Sequence, residues 1–481
     1  MTTSRKRAGS PEAAPFRRTV ESREVRSYVV RAGTADAPPR RIRLSGYDLL
    51  TGSWYTPMTF FYRDTLDGAE LRASLARTLR RYPPLSGRLV RDPAGSGGGL
   101  SVLCDDAGVR FTEAESPEPM REYGPSVRAE PVIGGLLREV SAFRVIDRDT
   151  PLLKIRLTQL RGGGSVLGVM INHSLADGGN TVAFLENWSR EHRGLPWPGP
   201  APDHDRTALD ALGELSTDPA TVAARAFTGV SRLRLLRTNL RAGLHRLATV
   251  TTRFGAAELA ALKREAQTGL TGADAWVSTN DALTAHLWQL YAGLRARPAD
   301  APEWLGLIVG AQPRLGPGAL PAGYWGNCVT NSWTGTTAGA LRGAPLGGVA
   351  QDVRSCLEAN TADKLRDEIA YLNSYRRSGV SRHVMSVRAP DVSETSLTVN
   401  NWSQFPLYGI DLGAGKPFWY EFPDLPVPTA HIAPTPAQDG GRDVHLCLPV
   451  QHAARLRDDP AWQARLHPFP GAPVPSAAPG D

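Results

Sequence analysis

Residues 166–184 read VLGVMINHSLADGGNTVAF. Val166, Leu167, Val169, Met170 and Ile171 form an apolar run interrupted only by Gly168, which predicts a buried strand. His173 stands at the end of that strand, Asp177 precedes a glycine pair, and Thr181–Trp188 reads as the start of a helix. Chemistry is often set at the end of a rigid element. The spacing His-x-x-x-Asp brings an imidazole and a carboxylate near each other without requiring that they touch.

The whole chain sets the bounds. Its 481 residues suffice for two or three domains, and at 41% hydrophobic it can bury sizeable cores. The four cysteines, at 104, 328, 356 and 447, lie far apart with no C-x-x-C pair. A cysteine-built zinc or iron–sulfur site has no basis, and reduced thiols in a cytoplasmic protein are expected. The start, MTTSRKRAGSPEAAPF, lacks the apolar core of a signal peptide, and no run nears the length that spans a bilayer. The net charge of +7 is carried mainly by arginine scattered along the chain. Such a field suits an anionic small molecule; no clustered stripe or fold signature points to nucleic acid.

Taken in order, residues 1–38 read as a polar, Pro-rich leader, and 39–200 as a first domain. Strands are predicted at Arg41–Leu44 and Met58–Tyr62 with a loop, Ser45–Gly52, between them. Leu71, Leu75 and Leu79 have helical spacing, and Pro83–Pro84 stops that helix. Extended segments follow at Leu85–Arg91, Leu100–Leu103 (after a Gly95–Gly99 turn), Phe143–Ile146 and Leu152–Leu160. A crossover is placed at 201–229 and a second domain at 230–468. There Ala223–Leu247, Ala256–Thr268, Val277–Leu294 and Val349–Asn373 read as helical, with Ser278 or Thr279 as cap and Asp281 in the first turn of the third. Strands are expected at Val250–Phe254, Leu305–Ala311, Met385–Val387 and Ser396–Val399. Phe418–Phe422 and Val444–Val450 look like a closing pair. Residues 469–481 read as a disordered tail.

Seven segments, taken together, carry a resemblance. LSGYDLL (44–50), FFY (60–62), LRASLARTLRRYPPLSGRL (71–89), HSLADG (173–178) with Phe184 and Trp188, VSTNDALTAHLWQL (277–290), GYWGNCV (323–329) and NNWSQFPLYGIDLGAGKP (400–417) stand in family order. The chain resembles the BAHD family of acyl-CoA-dependent acyltransferases. That resemblance implies an α/β, two-domain mixed-sheet fold of the chloramphenicol acetyltransferase-like type, with a channel between the halves. It implies an acyl-CoA donor as co-substrate, a small-molecule alcohol or amine acceptor, and no permanently bound cofactor or metal.

The chemistry of the residues agrees. Acyl transfer from a thioester needs a base for the acceptor's proton, and imidazole suits that task near neutral pH; His173 is the candidate. In the family the Asp of the motif points away from the His and pairs with an arginine of the second domain. The family's Asp-x-Arg-x-Arg is degraded here to Ala311-Gln312-Pro313-Arg314, leaving Arg314 as the expected partner of Asp177. DFGWG has become DLGAG, with Asp411, Gly413 and Gly415 retained, so the loop's turn is expected to persist. Asn327 is a candidate for orienting a loop or donating to the oxyanion, Asn401 a candidate donor, Trp402 and Tyr47 (beside Asp48) candidate pocket residues, and Lys416 a candidate contact for a CoA phosphate. His286 reads as a packing residue; His431, His445 and His452 are too scattered for a metal site.

Two rival readings accompany this one. Carrier-protein-dependent condensation enzymes share the motif, usually with an additional His before it where this chain has Asn172. A catalytically silent ligand-binding relative is the other. The resemblance favours a cytoplasmic monomer that tailors specialised metabolites, antibiotics among them.

Overall fold

The computed structural model describes residues 22–33, 38–50, 55–93, 99–120, 145–231, 233–234, 237–238, 247–272, 275–377, 384–388, 395–422 and 427–463. The first part of the leader, the tail, and the expected elements over 51–52, 95–98 and 143–144 lie outside these residues.

Two six-stranded mixed sheets organise the chain. The first runs, edge to edge, Arg23–Val30, Val109–Ser116, Leu153–Leu160, Ser165–Asn172, Tyr55–Tyr62 and Trp419–Glu421. Ser165–Asn172 is buried at every position, as its unbroken apolar run predicts. It pairs antiparallel with Leu153–Leu160 on one side and Tyr55–Tyr62 on the other, so His173 leaves the centre of a sheet. The second sheet runs Leu247–Phe254, Arg442–Pro449, Thr429–Pro434, Ser396–Asn401, Pro302–Gly310 and Val329–Thr337.

Helix Gly68–Leu79 buries Leu71, Leu75 and Leu79, each worth roughly 1.5–3 kcal/mol. It lies against helix Gly178–His192, which buries Val182, Phe184, Leu185 and Trp188. In the second half, helix Thr279–Arg295 is closed by a capping box between Ser278 and Asp281. Among the described residues no helix is long and apolar enough to cross a membrane.

Several expectations are corrected. The leader contributes Arg23–Val30, an edge strand paired with Val109–Ser116. Its exposed Arg23, Glu24 and Arg26 hide the signal, because an edge strand need not be apolar. The expected loop after residue 45 holds a short helix, Gly46–Leu50, and Val145 and Ile146 lie in a turn. The stretch from Ala223 is not helical throughout, since Phe227–Gly229 pairs with Val384–Ser386. Val349–Asn373 is two helices, Leu346–Glu358 and Ala362–Arg377. The supposed closing pair divides between sheets. Trp419–Glu421 joins Tyr55–Tyr62 of the first sheet, while Arg442–Pro449 lies between Leu247–Phe254 and Thr429–Pro434 of the second. Both segments have strand propensity, and propensity does not choose a partner.

Candidate active site

His173 sits where the strand Ser165–Asn172 gives way to a turn, and it is half-buried. Its Nδ1 lies 3.1 Å from Asn327 Oδ1. Among the described residues its Nε2 has no hydrogen-bond partner.

Asn327 is fully buried and reaches this point from segment 323–328, which enters strand Val329–Thr337. Its Nδ2 donates to Asp48 Oδ1 at 2.8 Å and to the His173 carbonyl at 2.7 Å, and its backbone N–H donates to Asp48 Oδ1 at 3.0 Å. Both N–H groups of the amide are therefore occupied with holding the loop, the first of the two roles the sequence suggested for it.

Behind the loop lies a buried ion pair. Asp48 Oδ2 accepts from Arg206 Nε, from Ser45 N and from Ser45 Oγ, each at 2.9 Å. Arg206 also donates to the carbonyls of Leu175 at 2.9 Å and His204 at 3.0 Å, and to that of Trp325. A side chain at Gly326 would place its Cβ 2.6 Å from the guanidinium carbon, so glycine there lets the arginine through. Arg206 comes from the crossover, outside every motif quoted above.

Asp177 caps helix Gly178–His192. One carboxylate oxygen accepts from Asn180 N at 2.9 Å and the other from Cys328 N at 3.1 Å. Burial raises its pKa, and the two N–H groups partly counter that. Among the described residues it makes no hydrogen bond with the His173 ring. Nor, among them, does it pair with Arg314, which sits half-buried on the turn Gln312–Arg314. The expected ion pair is replaced by backbone donors, with Arg206 as the buried cation nearby. Asp177 nevertheless ties the halves together through Cys328, and Asn180 Nδ2 donates a hydrogen bond to the Gly326 carbonyl at 2.8 Å.

The other candidates fall into three places. Tyr47 is buried and donates to Glu368 Oε1 at 2.8 Å. Glu368, whose pKa burial raises, also accepts from Thr330 and Ala226 N. Tyr47 is thus a tie between the halves rather than an open pocket wall. Trp402 is buried against the first residue of the helix after Asp177: a Cβ on Gly178 would lie 2.5 Å from its ring. Asn401, next to it, accepts from Ser403 N at 2.9 Å, which turns its amide nitrogen to Asn280 Oδ1. This contact engages one of the two N–H groups of the Asn401 amide. Asn280, in the first turn of helix Thr279–Arg295, keeps its own Nδ2 without a partner among the described residues.

Asp411 lies at the far end of the Gly178–His192 helix. It meets Arg193 at 3.6 Å, and its carbonyl accepts from Ser189 Oγ at 2.7 Å. Gly413 and Gly415 have φ of 90° and 80°, a left-handed backbone natural to glycine. The DLGAG segment thus turns at both glycines. Lys416 follows it, exposed. His431 and His445, distant in sequence, are opposite one another in the second sheet; among the described residues no His, Cys, Asp and Glu are grouped to hold a metal.

Known proteins supply the context for this geometry. The model of the Transferase family matches residues 24–461. A hydroxycinnamoyl-CoA:5-hydroxyanthranilate N-hydroxycinnamoyltransferase of Avena sativa is 28% identical over 465 residues, covering 90% of this chain and 97% of the relative. Shikimate O-hydroxycinnamoyltransferase of Nicotiana tabacum is 27% identical, over 89% and 97%. Rosmarinate synthase of Plectranthus scutellarioides is 27% identical, over 90% and 98%. Two solved structures share the fold. F. sporotrichioides TRI101 complexed with coenzyme A and T-2 has a TM-score of 0.69 at 18% identity, covering 89% of this chain and 99% of that one. Vinorine synthase has 0.66 at 19%, covering 93% and 99%. With its two mixed sheets and a family match over nearly all its length, the chain belongs to the BAHD family of transferases.

Proposed function

We propose that this protein moves an acyl group from acyl-CoA to a hydroxyl or amine of a small specialised metabolite, with His173 as general base. The observation that carries this is the Nε2 of His173, without a hydrogen-bond partner among the described residues, on a ring held from its Nδ1 side at the end of a buried strand. In the reaction Nε2 takes the acceptor's proton as its oxygen or nitrogen attacks the thioester carbon. The tetrahedral intermediate collapses with cleavage of the C–S bond, and the imidazolium returns the proton to the CoA thiolate. No acyl-enzyme is needed. Asn280, hydrogen-bonded through its Oδ1 to Asn401, is a candidate oxyanion donor through its Nδ2 alongside Asn401. Lys416 remains the candidate for a CoA phosphate, its exposed ammonium suiting an anion in solvent.

The relatives named for hydroxycinnamoyl transfer make hydroxycinnamoyl-CoA the first donor to try, with shikimate and anthranilate-type amines as acceptors. The test is release of free CoA thiol by the pure protein. His173→Ala should lower kcat by about 10²–10⁴-fold; turnover undiminished in that variant would remove the base from the scheme. Replacing acyl-CoA with an acyl-carrier protein in the same assay decides between the two donors, and the reading here expects CoA to be used.

A further inference from the structure

We infer that Asn327 locks His173 in the Nδ1–H tautomer, and that the buried Asp48–Arg206 pair fixes the Asn327 amide in the orientation this requires. The inference rests on His173 being the base proposed above, and it assigns positioning roles to three residues outside the His-x-x-x-Asp motif.

The orientation follows from donors and acceptors. The Asp48 carboxylate accepts from Asn327 N and Nδ2 on Oδ1 and from Arg206 Nε, Ser45 N and Ser45 Oγ on Oδ2. The His173 carbonyl also only accepts. The Asn327 nitrogen must therefore face these two groups, which turns its oxygen toward His173 Nδ1 at 3.1 Å. Two acceptors would repel at that distance, so Nδ1 carries the hydrogen. A neutral imidazole has one N–H, and the lone pair is left on Nε2. The nitrogen without a partner among the described residues is the basic one. Were the amide reversed, Nδ1 would accept, Nε2 would carry the proton, and the ring could not act as a base toward an acceptor.

Arg206 gives the arrangement its bias. Its charged N–H holds Asp48 Oδ2, and its remaining donors hold the Leu175 and Trp325 carbonyls on either side of the site. Asp48→Asn tests this with almost no change of shape. The carboxamide introduced there would keep its oxygen toward Arg206 and Ser45, and so point its own nitrogen at the Asn327 nitrogen. Reversal of the Asn327 amide relieves that contact but sets its oxygen against the His173 carbonyl, so the bias toward one orientation is lost, both become populated, and the proton is shared between Nδ1 and Nε2.

The experiment is ¹⁵N–¹H correlation of the histidine side chains in the full-length protein, with His173→Ala identifying the His173 signals. In the wild type, Nε2 should show the pyridine-type shift and Nδ1 the pyrrole-type shift. In Asp48→Asn the two should exchange in part. In Asn327→Ala the preference should disappear. In both variants kcat should fall by on the order of 10²-fold or more while KM for acyl-CoA stays within about threefold. A wild-type Nε2–H, or an unchanged Nδ1–H signature in both variants, overturns the inference. A variant that merely loosened the fold would lower the unfolding temperature without exchanging the two shifts. If the wild-type tautomer is Nδ1–H yet His173→Ala turns over normally, the base reading has failed and the tautomer assignment stands.

Discussion

Two aspartate–arginine pairs brace the region around helix Gly178–His192, and they are built differently. Asp48 and Arg206 meet at 2.9 Å with side chains 0% and 2% exposed. Asp411 and Arg193 meet at 3.6 Å with side chains 21% and 30% exposed. The first is sealed from water, and each of its members has further buried hydrogen bonds. The second is open to solvent, where water and salt screen most of its attraction. Asp411 belongs to one of the quoted motifs, and Arg206 belongs to none. Recognisability and structural weight are thus separate properties of a residue, because the weight depends on what surrounds the pair.

Arg206→Met should produce the largest change, about 3–5 kcal/mol in denaturant unfolding, since it strands Asp48 as a buried uncompensated charge. A loss no larger than that of Asp411→Ala would erase the contrast. Next comes acid. Burial lowers the pKa of His204 to about 4, against about 6.5 in the unfolded chain. As pH falls below 6.5 the unfolded chain takes up a proton that the folded protein refuses, so stability drops between pH 6.5 and 4. By pH 5 the loss reaches about 2 kcal/mol. Thermal unfolding at pH 7 and pH 5 checks this, and His204→Phe should flatten the dependence.

Asp177→Ala removes a helix cap and leaves the Cys328 N–H without its acceptor, so about 1–2 kcal/mol is expected. Asp411→Ala should cost at most about 1 kcal/mol in the same unfolding experiment, as its solvent-open ion pair implies. Arg314→Ala is the smallest change, within about 0.5 kcal/mol. Matching losses in Asp177→Ala and Arg314→Ala, with no further loss in the double variant, would restore the ion pair that the structure replaces.

Much of the scaffold was readable along the chain. The unbroken apolar run before His173 predicted a buried strand. The Leu71, Leu75 and Leu79 spacing predicted the packed face of a helix, and Ser278 and Asp281 formed the cap that their types suggest. Ala256–Thr268 is a helix over just those residues. These readings succeed because period and capping are local. The site was legible in part: His173, Asp177, Asn327, Trp402 and Asn401 all lie near the seam between the sheets, while Tyr47, expected at an acceptor pocket, donates instead to Glu368 321 residues away. Asn327 was marked for two tasks, orienting a loop or donating to the oxyanion, and its hydrogen bonds match the first. Arg206 carried no signal, because one arginine among many, in a segment rich in proline and glycine, has nothing to set it apart until its partners are known.

By itself the sequence determined the class of the fold, the order of its segments and the imidazole at a strand end. Each of these follows from residue type and short-range spacing, which the chain carries wherever it folds. Only the tertiary structure decided which end of the Asn327 amide faces the ring, that Asp177 caps a helix and binds Cys328 instead of Arg314, and that Trp419–Glu421 completes the first sheet. Those outcomes depend on contacts between residues as much as 348 positions apart, such as Tyr62 with Ile410. Hydrogen bonding is directional and acts over about 3 Å, so a partner's identity exists only once folding has brought the two groups together.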